Sequence, residues 1–371
     1  MMTTAKKTGA TGLAIPDTMR AVVTHGPNDY RLEDVPVPQA GRGEVLAKVE
    51  ACGVCASDVK CYKGADMFWG GNGQPRYVQA PVIPGHEFIA RVVALGENAG
   101  ERHGVQLGSR VISEQIVPCG ACRYCRGGQY WMCEVHNIYG FQHVVNGGMA
   151  EYIKFPAEAL VYCVPDEMPI VRAVLIEPLS CSIHAVERAR IEFGDVVVIS
   201  GAGPLGLGMV GAARLKNPGV LVVLDMMDAR LELARTIGAD VAMNPGTEDV
   251  VARVKELTGG YGCDVYIEAA SHPSSVVQGL SMIRKLGRFV EFSVFNEATT
   301  VDWSIIGDRK ELDIYGAHLG PHAYPLAIDF LQQGKINLDG VVTHTLPLEE
   351  FERGIDLVAS GKESIKVILV P

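Results

Sequence analysis

The chain has 371 residues, 48% of them hydrophobic, and a formal net charge of -10 at pH 7. That length suits two domains, and so much apolar material excludes a disordered polymer. The acidic balance argues against a nucleic-acid partner or an anionic membrane. Residues 1–17 carry Lys6 and Lys7 with no apolar stretch behind them, so no secretory signal is expected. Val196–Ala213 is uncharged but interrupted by Gly201-Ala202-Gly203-Pro204-Leu205-Gly206-Leu207-Gly208, which reads as a turn and not as a span. A cytoplasmic location is expected, and there ten cysteines point to metal ligation before disulfides.

In chain order, Met19–His25, Glu44–Ala51, Glu87–Leu95 and Ser109–Ile112 are β-branched runs separated by Gly, Pro and Asp, and are predicted as strands. Near Ile170 the character changes. Asp195–Ser200, Val220–Asp225, Cys263–Ala269 and Arg288–Ser293 are predicted strands. Between them Leu205–Leu215, Ala229–Ile237 and Ser274–Leu286 have helical character. Such alternation predicts an α/β fold with a doubly wound parallel sheet. Leu312–Gly316, the helical stretches Pro325–Gln333 and Leu348–Ser360, and the apolar strand Lys366–Val370 complete the chain.

Val196-Val197-Val198-Ile199 leads into Gly201-x-Gly203-x-x-Gly206, with Asp225 closing the next strand. Glycines at these places let the backbone approach a pyrophosphate at a helix N-terminus, and the acid suits a ribose. Gly201, Gly203, Pro204, Leu205, Gly206 and Asp225 are therefore the expected dinucleotide residues. The charge of Asp225 favours NAD over NADP, and Arg230 lies near enough in sequence to touch the adenosine.

Cys119, Cys122, Cys125 and Cys133 follow C-x2-C-x2-C-x7-C, a spacing that suits a closed tetrahedral zinc. An iron–sulfur cluster would want a second cysteine group, and a nucleic-acid zinc ribbon a basic segment. Cys55 in Gly53-Val54-Cys55-Ala56-Ser57-Asp58 and His86 in Gly85-His86-Glu87 offer half of a second zinc site. Glu87 and Glu177, in Ile176-Glu177-Pro178-Leu179, are the carboxylates available to complete it, since a buried carboxylate needs a cation or hydrogen-bond donors. Cys52, Cys61, Cys163, Cys181 and Cys263 are expected to be small hydrophobic fillers.

In order and spacing these motifs resemble the zinc-dependent medium-chain dehydrogenases over residues 19–371. The resemblance implies a GroES-like, mostly β catalytic domain from residues 1–171 and 317–371, with the zinc lobe at about 117–135. A Rossmann domain, 172–316, would be inserted in it. Two zinc ions and NAD are implied as cofactors, with a homodimer or homotetramer. Glu177-Pro178-Leu179 is similar to the polyol branch, the sorbitol, threonine and erythritol/threitol dehydrogenases. In that branch Cys55, His86 and Glu87 can be ligands, Glu177 holds water or alternates onto the metal, and Ser57 takes the substrate hydroxyl proton. The implied reaction is oxidation of a secondary polyol hydroxyl to a ketose, with erythritol or threitol to erythrulose preferred. L-Threonine or another secondary alcohol is the alternative substrate, and a non-catalytic nucleotide-binding zinc protein the alternative class. Three places depart from relatives: Lys60 stands where many have a relay histidine, Gly64–Pro84 with Met67-Phe68-Trp69 is long enough to wall a pocket, and His318-Leu319 replaces the Phe-Arg of sorbitol dehydrogenases.

Overall fold

Strand Val45–Val54 runs through the middle of a sheet because its side chains are buried on both faces nearly throughout. In the computed structural model, which describes residues 15–371, the sheet has the order Val342–Pro347, Lys366–Val370, Val45–Val54, Glu87–Leu95, Arg110–Ser113, Val161–Cys163. Tyr152–Phe155 also pairs with the central strand. The reading of residues 1–17 lies outside the described residues up to residue 14. The register sets Gly53 opposite Glu87 on one side and opposite Ile368 on the other, so three distant stretches meet at one point. Phe88, Tyr139, Ile153 and Phe155 fill the core beside it. The helices in this part are short; Ala56–Tyr62 follows the central strand directly.

The second sheet is parallel, in the order Val241–Met243, Val220–Leu224, Val196–Ser200, Cys263–Glu268, Ile283–Glu291, Asp313–Gly316. Numbered along the chain this is 3-2-1-4-5-6, the Rossmann order, whose switch point falls beside the first strand. Its central strands Val196–Ser200 and Val220–Leu224 are nearly continuous apolar runs, as burial on both faces requires, whereas the edge strand Asp313–Gly316 is mostly exposed.

The chain divides into two compact units: one takes the chain up to Glu177 with Val342–Pro371, the other Pro178–Val341. These divisions differ from 171/172 and 316/317. Helix Tyr324–Gln332 buries Tyr324, Ala327, Ile328 and Leu331. Leu326 and Phe330 line a cavity with Ile183, Val186 and Ala212 of the second unit, and Ile336 lies against Gly211. Apolar packing therefore carries residues 317–341 with the parallel sheet.

Two further differences are local. The helix expected over Ser274–Leu286 is Pro273–Met282, because Ile283 turns extended and pairs with Cys263. Helix Ile176–Ala189, at 14 residues, was not expected; its opening Glu-Pro and its serines hide the helical period. Among the described residues no helix is long and apolar enough to cross a membrane.

Candidate active site

Cys55, His86 and Glu87 bring one ligand atom each to within 4.8 Å of one another, with both His86 and Glu87 buried. Cys55 is the N-cap of helix Ala56–Tyr62, and Asp58 in its first turn accepts the Cys55 N–H at 2.9 Å. Ser57 Oγ lies 3.5 Å from His86 Nε2. Asp58 Oδ1 lies 3.6 Å from His86 Nδ1, and both atoms are buried with no hydrogen-bond partner. Burial pulls the His86 imidazole down, but Asp58, Cys55 and Glu177 outweigh it and hold the group well above its ordinary value.

This environment fits a cation. Sulfur, nitrogen and carboxylate oxygen are the donors zinc takes. A metal on Nε2 fixes the proton on Nδ1, facing the otherwise orphaned Asp58 oxygen, the carboxylate–histidine–metal relation.

The charge of Glu87 is met from across the sheet. Lys366 Nζ donates to Glu87 Oε1 at 2.7 Å, to Oε2 at 2.6 Å and to the Val54 carbonyl at 3.2 Å, so its three donors are used. Burial lowers the Lys366 ammonium, but Glu87, Cys55 and Glu177 more than compensate and raise it. The carboxylate reaches the lysine over Gly53, where a Cβ would stand 2.1 Å from Glu87 Oε2. Lys366 was not singled out from the sequence. The signal was there: one lysine opening an apolar strand.

Glu177 is 4% exposed, and its Oε1 accepts the Gln115 side-chain N–H at 2.7 Å. Phe68 stacks on Phe141 at 5.0 Å, and Phe141 tilts against His86 at 5.6 Å, so the Gly64–Pro84 segment is two rings from the histidine. Trp69 packs under the Arg76 guanidinium at 5.0 Å and donates to the Cys61 carbonyl. Lys60 sits in the last turn of the Ser57 helix. His318 and Leu319 belong to the second unit, where Leu319 has a left-handed φ of 57°.

Cys119, Cys122, Cys125 and Cys133 also gather within 4.8 Å. The Cys119–Cys125 sulfur distance is 4.0 Å. A tetrahedral Zn–S4 edge is about 3.8 Å, whereas a disulfide is about 2 Å. Backbone N–H groups of Cys119, Ala121, Cys122 and Cys125 point at the sulfurs, as thiolates require. The Cys125 N–H, with that of Glu134, brings the Cys122 thiol down to about 6. Of the other cysteines, Cys52, Cys61, Cys181 and Cys263 are buried and Cys163 is exposed; burial pushes the Cys61 thiol up to about 12.

In the second unit, Gly203 caps helix Pro204–Leu215, which has Pro204 at its first position. A Cβ on Gly206 would fall 1.8 Å from the Gly201 carbonyl, so the tight turn admits only glycine there. Leu205 and Gly206 lie in the first helical turn, where N–H groups lack intrahelical acceptors. Asp225 accepts the Ala202 N–H at 2.7 Å and the Met227 N–H at 2.8 Å, which leaves each oxygen a further lone pair. Arg230 Nη1 stands 3.9 Å from it. The turn and its acid fit a dinucleotide.

A Rossmann sheet in one unit and a thiolate–imidazole–carboxylate set in the other define a metal-dependent oxidoreductase. Comparison with known proteins agrees along the whole chain. Residues 41–166 match the family model "Alcohol dehydrogenase GroES-like domain" and residues 204–333 match "Zinc-binding dehydrogenase". The erythritol/L-threitol dehydrogenase of Mycolicibacterium smegmatis is 54% identical over 357 residues, 96% of this chain and 99% of that one. A zinc-binding dehydrogenase of Sinorhizobium meliloti 1021, solved with NADP, is 27% identical with a TM-score of 0.85, covering 96% of this chain and all of that one. A short chain alcohol dehydrogenase from E. coli CFT073, solved with NADH, is 29% identical with a TM-score of 0.83 over 96% of this chain and all of that one. The chain belongs to the zinc-dependent medium-chain dehydrogenase family. It is an alcohol-oxidising enzyme that uses zinc and a nicotinamide dinucleotide, and the non-catalytic alternative is set aside.

Proposed function

We propose that this enzyme oxidises a secondary hydroxyl of a short polyol, erythritol or threitol, to the ketose, with NAD as acceptor. The observation that carries the chemistry is the Cys55–His86–Glu87 set, its histidine and glutamate buried, beside Ser57. The choice of polyol is supported by the 54% identity to the M. smegmatis enzyme.

In this reading Cys55, His86 and Glu87 hold the catalytic zinc, and Glu177 is the fourth, exchangeable donor. Cys119, Cys122, Cys125 and Cys133 hold the structural zinc. Bound zinc supplies Lewis acidity to a substrate hydroxyl, and the dinucleotide supplies the two-electron acceptor. Ser57 Oγ takes up the hydroxyl proton. Asp58 keeps His86 turned toward the site with Nδ1 facing its carboxylate, and Lys366 meets the Glu87 carboxylate with its ammonium. The turn from Gly201 to Gly206, with Pro204 and Leu205 opening its helix, cradles the pyrophosphate. Asp225 binds the adenosine ribose and repels a 2′-phosphate, with Arg230 at its flank. The enzyme works in the cytoplasm as a homodimer or homotetramer, an assignment that light scattering checks.

The test is a substrate panel of erythritol, threitol, sorbitol, L-threonine and ethanol, read as kcat/KM with each cofactor. Tetritols with NAD should lead. Faster turnover of ethanol or L-threonine overturns the polyol assignment, and an NADP advantage shows that Arg230 outweighs Asp225 at the ribose.

A further inference from the structure

Glu177 is the second residue of helix Ile176–Ala189. The helix fixes its Cα, but its rotamer needs a separate restraint, and Gln115 supplies one from 62 residues away. Gln115 is itself 2% exposed and pinned on both sides. The Tyr139 N–H donates to the Gln115 carbonyl at 3.0 Å, and the neighbouring Glu114 N–H donates to the Leu160 carbonyl at 2.9 Å. The Glu114 carboxylate, 1% exposed, accepts the Tyr162 hydroxyl at 2.8 Å and the Tyr130 hydroxyl at 2.9 and 3.0 Å. Tyr130 lies in the 3-10 turn Tyr130–Met132, directly before Cys133. A continuous run of hydrogen bonds and backbone thus joins the four-cysteine lobe to Glu177.

Residue type matters here. An amide donates to a carboxylate without bringing charge, so Gln115 orients Glu177 without adding a positive charge beside it. A lysine would neutralise that charge, and a glutamate would repel it or share its proton.

We propose that Gln115 is the positioning residue of Glu177, and that the Tyr130–Glu114 clamp makes the lobe part of how that carboxylate is aimed. The proposal rests on the reading of Glu177 as a donor at the catalytic metal.

The experiment uses the full-length enzyme with Co2+ exchanged into the catalytic site. It compares wild type, Gln115→Leu, Tyr130→Phe, Glu177→Ala and the double variant Gln115→Leu/Glu177→Ala. The readouts are the visible cobalt spectrum, the rate of metal loss to a chelator, and kcat and KM separately. Gln115→Leu should alter the spectrum, speed metal loss and lower kcat by about 10- to 100-fold, with a smaller change in KM. Tyr130→Phe should move the same readouts in the same direction by less, and it carries the test should Gln115→Leu not fold. The double variant should match Glu177→Ala alone, since two residues acting through one carboxylate are not additive. Additive losses, or wild-type spectra in both Gln115→Leu and Tyr130→Phe while Glu177→Ala changes its own, overturn the positioning role and leave the reading of Glu177 intact. A Glu177→Ala enzyme with unchanged spectrum, metal retention and kcat overturns that reading instead.

Discussion

The two candidate metal-ligand clusters of the first unit are built on opposite principles. The four-cysteine lobe takes all its donors from one segment, Cys119 to Cys133, and steadies the sulfurs with that segment's own N–H groups. The Cys55–His86–Glu87 set is assembled by a sheet, and two of its three donors lean on residues distant in the chain: His86 on Asp58 and Glu87 on Lys366. A lobe of the first kind is closed and self-sufficient. The second kind keeps mixed donors and buried charge, which catalysis needs and stability does not favour.

Breaking each cluster should therefore fail differently. Cys55→Ser should take alcohol-dependent NADH production to background and lower zinc from two to one per chain, as measured by metal analysis, with the lobe's zinc retained. Full activity in this variant would remove the catalytic-zinc assignment. In the zinc-free protein Lys366→Met should next cost about 3–5 kcal/mol, because without metal it leaves the Glu87 carboxylate buried with no cation beside it. Adding Glu87→Gln should recover most of that loss in a denaturant titration, and a single variant as stable as wild type would contradict the pairing. Cys122→Ser should also remove one zinc per chain, but with loss of heat resistance first and a far smaller fall in kcat/KM than Cys55→Ser.

The smallest effect concerns pH. Burial, opposed by the Tyr162 and Tyr130 hydroxyls, raises the Glu114 carboxyl to about 7 from 4.5. Between those values the folded chain keeps a proton that the unfolded chain has lost, so stability falls as pH rises through the window and levels above it. Glu114→Gln should flatten the decline of stability, read as Tm, between about pH 4.5 and 7, on the order of 3 kcal/mol over that window. A slope unchanged from wild type would assign the pH dependence to other groups.

What could be read from the sequence follows the same division. The lobe and the glycine turn are local patterns, so spacing alone places them. Cys55 and His86 were legible as half of a site, with Glu87 and Glu177 as two carboxylates that could complete it; the resemblance alone suggested an order between them, and the structure brings Cys55, His86 and Glu87 together. Asp58, Gln115 and Lys366 were not legible, because their roles depend on register and rotamer; Lys366 meets Glu87 only through two strand pairings. The helix end at Met282 was missed for a similar reason: Met-Ile-Arg-Lys-Leu suits a helix, but Ile283 gains a place in the sheet beside Cys263. Tertiary pairing overrode local preference.

The 279-residue separation of Glu87 and Lys366 has a consequence during synthesis. At roughly 5–20 residues per second, the ribosome finishes the lysine on the order of tens of seconds after the glutamate. The whole of the second unit is made in that interval. Until the last strand is made, the Glu87 carboxylate has no Lys366 ammonium to accept from, so this buried pair can close only after the rest of the chain exists.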